Sequence, residues 1–232
     1  MAGLLSDLTI IYITANHISD FFAANTRRVL VDAALDLPII SVSHKPMNFG
    51  KNICFGDNGR SQANIYRQVL IGAREAKTKY VAIAEDDVLY HENHFKFRPK
   101  DGHWGYNMNA WSIFTWGEPM LTYKTPGGRK NLNGLICERK MLIDHLEERF
   151  KLHPDDDKID IRIFGEPGKY DNLLGTTPHP VENFYTNPPN IVFSHQTNLQ
   201  FEGLGTRKRA GDVRATAVPY WGRAEDLRKL YE

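Results

Sequence analysis

Short, almost unbroken apolar runs alternate with longer amphipathic stretches through the first half of the chain. Residues 8–13 (LTIIYI), 38–43 (PIISVS) and 79–84 (KYVAIA) are rich in β-branched residues. Runs of this kind predict strands buried on both faces. Between the first two, SDFFAANTRRVLVDAAL carries Phe22, Val29, Leu30, Ala33 and Leu37 at helical spacing, with Ser19 and Asp20 as capping residues. Between the second and third, SQANIYRQVLIGAREAKT repeats the pattern with Tyr66, Val69, Leu70, Ala73 and Ala76. Residues 44–60 (HKPMNFGKNICFGDNGR) are dense in turn residues and read as a loop. Strand–helix–strand–helix–strand predicts a parallel sheet with right-handed crossovers.

The second half is less regular. Residues 110–116 (AWSIFTW) and 190–193 (NIVF) read as strands, and 131–150 as a turn followed by a helix with Leu142, His145, Leu146 and Phe150 inward. Residues 153–190, rich in Pro, Gly, Asp and Asn, read mostly as loop, and the tail as glycine-rich, then basic, then weakly helical. No repeat and no linker divides the chain, so one α/β domain is expected, its mostly parallel central sheet flanked by helices.

One feature breaks the hydrophobic pattern. KYVAIA runs directly into Glu85, Asp86 and Asp87. Residues two apart on a strand point to the same side, so Glu85 and Asp87 share one and repel each other. A divalent cation relieves that repulsion, and oxygen ligands open to solvent suit magnesium, manganese or calcium. Ligands of open parallel sheets sit beyond the carboxyl ends of the strands, which is where these acids come.

Composition narrows the partners. With 29 basic and 28 acidic residues the net charge is +1, so an anionic partner must be met by a local patch. No apolar run reaches the roughly 20 residues of a membrane span, and the start lacks a basic leader, so a cytoplasmic protein without membrane insertion is expected. Cys54 and Cys137 sit in apolar surroundings and read as reduced core residues. The pattern specifies no oligomeric state.

The strand that ends in Glu85-Asp86-Asp87, after a first strand–helix–strand–helix unit, resembles the GT-A glycosyltransferases, in which a DxD motif at this place holds the metal–diphosphate. Glu85 stands for the first Asp of that motif, and Arg67 and Gln68 come slightly earlier than the Arg-Asn pair of many family-two members. The stretches IISVSHKPMNFGKNICFG, IYRQVLIGAREAKTKYVAIAEDDVLY and PYWGRAEDLRKLY are similar to small GT-A-type proteins of bacteriophages and environmental sequence. The resemblance implies a single GT-A domain, with a donor-binding part over about 1–100 and an acceptor side over about 101–232. It implies hexosyl or pentosyl transfer from a nucleotide-diphospho-sugar, most commonly a uridine one, in the host cytoplasm if phage-encoded.

It also implies roles. Thr14, Ala15 and Asn16 (ITANH) are expected to contact base and ribose, Arg27 and Arg60 are candidates to reach phosphates, and Arg67 is placed among the donor-binding residues. Asp87 and His195, the latter following NIVF, form the expected metal pair, with Glu85 binding directly or through water. Asp86 belongs to the same diphosphate motif. Asn133 and Gly134 of GGRKNLNG line the donor sugar. Arg207, Lys208 and Arg209 of GLGTRKRAG neutralise the leaving diphosphate. The family's tandem acidic base is missing; Glu166 and Asp171 of FGEPGKYDNLL take its place, while Asp155, Asp156 and Asp157 read as an exposed run.

Trp104, Tyr106, Trp111, Trp116 and Tyr123 crowd the acceptor side, and aromatic faces stack on sugars and on bases. With Arg129, Lys130 and Arg214 to track phosphates, a 5-hydroxymethylpyrimidine in DNA is one expected acceptor, and a protein or glycan is the other. Two rival readings are a sugar nucleotidyltransferase and a non-catalytic nucleotide-sugar-binding module. The first would show a glycine-rich basic loop after the first strand, which ITANHISDFF lacks.

Overall fold

The computed structural model describes residues 7–59, 61–116, 122–125, 127–154, 165–195 and 213–232. The three apolar runs are strands β1 (Leu8–Thr14), β2 (Ile39–Ser43) and β4 (Tyr80–Glu85), and the two amphipathic stretches are helices α1 (Asp20–Ala34) and α2 (Gln62–Glu75). Ser19 caps α1 by accepting from the Phe22 N–H at 3.2 Å, and Ser61 caps α2 by accepting from Asn64 at the same distance.

Lys51–Cys54 forms β3, Trp104–Asn107 forms β6, Leu135–Glu138 forms β9 and Val181–Phe184 forms β10. Together they make a seven-stranded sheet in the order β10-β6-β9-β4-β1-β2-β3. β4, β1, β2 and β3 run parallel, β10 is parallel to β6, and only β9 is antiparallel to both neighbours. The expected α/β architecture is therefore what the chain adopts.

Every residue of β1 is buried. Ile11 and Ile13 face α2 and α4 (Arg139–Leu152), while Leu8, Ile10 and Tyr12 face α1, the alternation that a sheet covered on both sides requires. Gly72 lets α2 lie directly on this sheet, since a Cβ there would collide with Ile11 Cγ2.

A second sheet of five strands has the order β12-β8-β7-β11-β5. Its strands are β5 (Val88–Leu89), β7 (Ala110–Phe114), β8 (Thr122–Lys124), β11 (Asn190–Ser194) and β12 (Val213–Ala215). The short helix α3 (Glu92–Phe95) connects β5 of this sheet to β6 of the first, and α5 (Asp171–Leu174) lies between α4 and β10 in the chain. The tail adds a hairpin, β13 (Ala217–Val218) with β14 (Gly222–Arg223), and helix α6 (Ala224–Arg228). Phe22, Leu89, Ile113, Ile191, Phe193 and Leu227 form a third apolar cluster between the second sheet, α1 and α6.

Several expectations need correction. Residues 51–54 are a sheet-edge strand, not loop, because β2 offers them a free parallel edge. LICE is a strand inserted between β4 and β6, so the helix begins only at Arg139. Leu142, His145 and Leu146 are buried as expected, whereas Phe150 is half-buried. Within 153–190, α5 and β10 interrupt the expected loop. Cys137 is buried, but Cys54 is exposed at the end of β3. Trp104 and Tyr106 are fully buried on β6 and present no face to an acceptor. No helix among the described residues is long and apolar enough to cross a membrane.

Candidate functional site

The strand register brings the polar residues together. Ile13 lies beside Glu85 and Thr14 beside Ser43, so the carboxyl ends of β1, β2 and β4 form one ledge. Gln68, buried on α2, ties that ledge from below: its Nε2 donates to the Thr14 carbonyl at 2.9 Å and the Val42 carbonyl at 3.1 Å. On the ledge, Thr14 Oγ1 donates to Asp86 Oδ2 at 2.5 Å and accepts from the Asn16 N–H at 2.9 Å. Asn16 sits in the left-handed region at φ 56°, and its Oδ1 accepts from the Lys45 N–H at 2.9 Å. The loops after β1 and β2 are thus fastened to each other and, through Thr14, to the acids. Ala15 between them is half-buried.

The three acids meet different partners. Glu85 Oε2 accepts from Asn133 Nδ2 at 2.6 Å. Asn133 is buried in a single 3₁₀ turn (Leu132–Gly134) that precedes β9. Tyr90 supports the pair, because its hydroxyl accepts from the Glu85 N–H and donates to the Asn133 carbonyl, each at 3.2 Å. Gly134 packs against β6, where a Cβ would come within 2.9 Å of the Asn107 carbonyl. Asp87 crosses to the second sheet. Its carbonyl accepts from the Phe193 N–H at 2.9 Å, and its Oδ2 lies 3.5 Å from His195 Nε2. The structure therefore brings Thr14, Asn16, Glu85, Asp86, Asp87, Asn133 and His195 into one constellation.

Its electrostatics are unfavourable. Burial, then the Asp87 charge, raises Glu85 to about 8, against the lowering effect of the Asn133 hydrogen bond. Burial and Asp87 likewise raise Asp86 to about 6, opposed by Thr14. Burial and the Asp86 charge keep the Tyr12 hydroxyl beneath them protonated. Such a cluster attracts protons or cations.

Glu166 contributes a further carboxylate to the field at Glu85. It is buried, with Lys169 Nζ 3.3 Å from its Oε2, and burial raises its own proton affinity. Asp171 has a different setting. Both its oxygens accept from the Gly168 N–H, at 2.9 and 3.0 Å, and His145 Nε2 lies 3.9 Å away, so it shapes the loop that carries Glu166.

The arginines are scattered. Arg27 on α1 lies 6.0 Å over the Phe49 ring, and Arg67 donates to Asn64 at 2.8 Å with its guanidinium 5.5 Å from Phe150. Arg129 and Lys130 are half-buried and Arg214 is exposed. Arg60, Asp155, Asp156, Asp157, Arg207, Lys208, Arg209 and the side chain of Tyr123 lie outside the described residues.

Gln68 and Tyr90 had no assigned role in the sequence reading. In the sequence Gln68 stands out only beside Arg67, as an offset counterpart of the Arg-Asn pair, and which carbonyls it ties is a matter of strand pairing. Tyr90 follows the acids by three residues and looks like ordinary core.

No protein-family model matches the chain, and no curated protein matches it. Among solved structures it is similar to a glycosyltransferase involved in the glycosylation of the major capsid of PBCV-1. The identity is 11%, the match covers 81% of this chain and 93% of that one, and the TM-score is 0.48. It is also similar to the bifunctional IspDF from Campylobacter jejuni, at 10% identity over 78% of this chain and 50% of that one, with a TM-score of 0.41. A third is TarS from S. aureus, at 9% identity over 82% of this chain and 37% of that one, with a TM-score of 0.42.

Proposed function

We propose that this chain is a metal-dependent glycosyltransferase. In this reading it moves a sugar from a nucleotide-diphospho-sugar, with uridine as the base, to an acceptor hydroxyl. The observation that carries the reading is the gathering of Glu85, Asp86 and Asp87 on the ledge, where two of the three have raised proton affinity and the third faces His195 at 3.5 Å. Like charges packed this closely are stabilised by a bound cation, and a cation at the carboxyl ends of parallel strands suits a diphosphate.

The donor set fits such a cation. Asp87 Oδ2 and His195 Nε2 are close enough to share one ion. Among the described residues no group of three His, Cys, Asp or Glu side chains is placed to hold a metal. The Asp87–His195 pair would supply two ligands, and magnesium or manganese would take the remaining positions of its shell from phosphate oxygens and water. Glu85, already engaged by Asn133, acts through water. When bound, the ion neutralises charge that develops on the departing diphosphate. Asp86 holds Thr14, and with it the Thr14–Asn16 loop that receives the nucleoside. Asn133 and Gly134 face the donor sugar.

Glu166 is the base in this reading. Its burial and its electrostatic reach to Glu85 suit proton abstraction from the acceptor, whereas Asp171 is committed to Gly168. Glu166→Gln is expected to lower turnover roughly 10³-fold while leaving donor affinity unchanged, measured by nucleotide release and calorimetry. Wild-type turnover in that variant removes the assignment.

The acceptor reading keeps 5-hydroxymethylpyrimidine DNA first and a protein or glycan second. With Trp104 and Tyr106 in the core, the aromatic contribution falls to the half-buried Trp111 and Trp116. Nucleotide release from a panel of nucleotide-sugars with Mn²⁺, with and without hydroxymethylated DNA, tests the whole reading. Release from one donor is expected, increased by the DNA. Release without that increase moves the acceptor to protein or glycan. Donor binding without release from any donor–acceptor pair points to a binding module.

A further inference from the structure

His195 is 4% exposed and sits in a triangle of aromatic rings. Its imidazole centroid lies 5.9 Å from that of Tyr231 at a tilt of 30°, and 6.2 Å from that of Phe22 at 75°. Phe22 and Tyr231 close the triangle, meeting edge-on at 5.0 Å, with Phe193 behind Phe22 at 4.9 Å. Tyr231 is delivered by the turn that follows α6, where its N–H donates to the Arg228 carbonyl at 2.9 Å. That turn is pinned to α1 by Asn25, whose Nδ2 donates to the Leu230 carbonyl at 3.0 Å. Leu227 is buried beneath it.

An imidazole nitrogen offers its lone pair only in the plane of the ring. A rotation about χ2 therefore turns Nε2 away from a ligand even when the residue stays in place. The polar edge of His195 looks toward Asp87 Oδ2 at 3.5 Å, while Phe22 and Tyr231 contact its ring. Hydrogen-bonding partners that orient a metal-binding histidine are worth about 10–100-fold in metal affinity, and a ring contact that fixes the same orientation is expected at the lower end of that range.

We propose that Tyr231 is a positioning residue for His195, so that the segment after α6 is a working part of the metal site and not only a cover for the third apolar cluster. This rests on the metal reading above.

The test is Mn²⁺ affinity of the full chain without nucleotide, read by electron paramagnetic resonance, alongside thermal melting. Tyr231→Ala is expected to weaken Mn²⁺ about 10-fold, and Tyr231→Phe, which keeps the ring, to bind as wild type. Val218→Ala, in the same apolar cluster but on β13, should lower the melting temperature without changing Mn²⁺ affinity. In a His195→Ala background, which itself binds more weakly, Tyr231→Ala should add no further loss, because the two act through one contact. If Tyr231→Ala fails to fold, Tyr231→Leu takes its place. Unchanged affinity in the alanine or leucine variant overturns the proposal, as does an equal loss in the His195→Ala background. If the wild-type protein binds no Mn²⁺, the metal reading itself falls and takes this proposal with it.

Discussion

Asp87→Ala is expected to abolish Mn²⁺-dependent binding of the nucleotide donor, with a loss of at least about 100-fold in affinity, while the metal-free fold survives. The fold survives because the structural contact of this residue is made by its backbone: the Asp87 carbonyl accepts from Phe193, and alanine keeps that bond. Its carboxylate does the opposite of stabilising the apo protein, since its charge is the second cause raising both Glu85 and Asp86. Without metal the variant should therefore melt at or slightly above the wild-type temperature. With Mn²⁺ and donor, only the wild type should gain stability, as ligand binding to the folded state requires. Calorimetric titration and melting curves measured together check both halves. A variant that binds donor with full affinity removes Asp87 from the site.

Much of the acidic ledge was legible in the sequence because it violates a pattern. An apolar strand that ends in three acids is costly unless something cationic meets it, so Glu85, Asp86 and Asp87 stood out without any knowledge of their neighbours. The ledge itself followed from the strand–helix alternation, which orders parallel carboxyl ends on one side. His195 was legible only through the family resemblance, which expects a histidine after a late strand.

The partners of the acids were not legible, because they are fixed by long-range pairing. Asn133 reaches Glu85 only because LICE inserts as β9 between β4 and β6, and that strand is hidden in the sequence by running without a break into the apolar positions of α4. The same insertion explains Trp104 and Tyr106. Their aromatic character suggested an acceptor surface, but β6 lies inside the sheet between β9 and β10, and the Tyr106 hydroxyl finds its partner in the Pro167 carbonyl at 2.8 Å. Asp171 and Glu166 looked equivalent in FGEPGKYDNLL; the Gly168 N–H separates them by engaging one and not the other.

The stability of the metal-free protein should rise as pH is lowered from about 8.5 to about 6.5, above the range in which His94, held by burial well below its ordinary 6.5, begins to cost stability by staying neutral, and Mn²⁺ should remove most of that dependence. Glu85 is raised from its ordinary 4.5 to about 8 and Asp86 from 3.8 to about 6. Between the unfolded and folded values the native chain therefore holds protons that the unfolded chain has released. Linkage then requires stability to fall as pH rises, with the loss complete above the folded value of Glu85 and relieved as pH approaches the unfolded range. Both residues are only half-buried by surface area. The combined effect is accordingly discounted to about 2 kcal/mol, or roughly 4–8 °C in melting temperature for a chain of this size. A divalent cation replaces the protons in neutralising the cluster, so Mn²⁺ should stabilise most at pH 8 and release protons on binding. Melting curves in chelator and in Mn²⁺ across this range make the comparison. A flat profile in chelator shows that the acids are not strained by one another, and the argument that they await a cation then fails at its root.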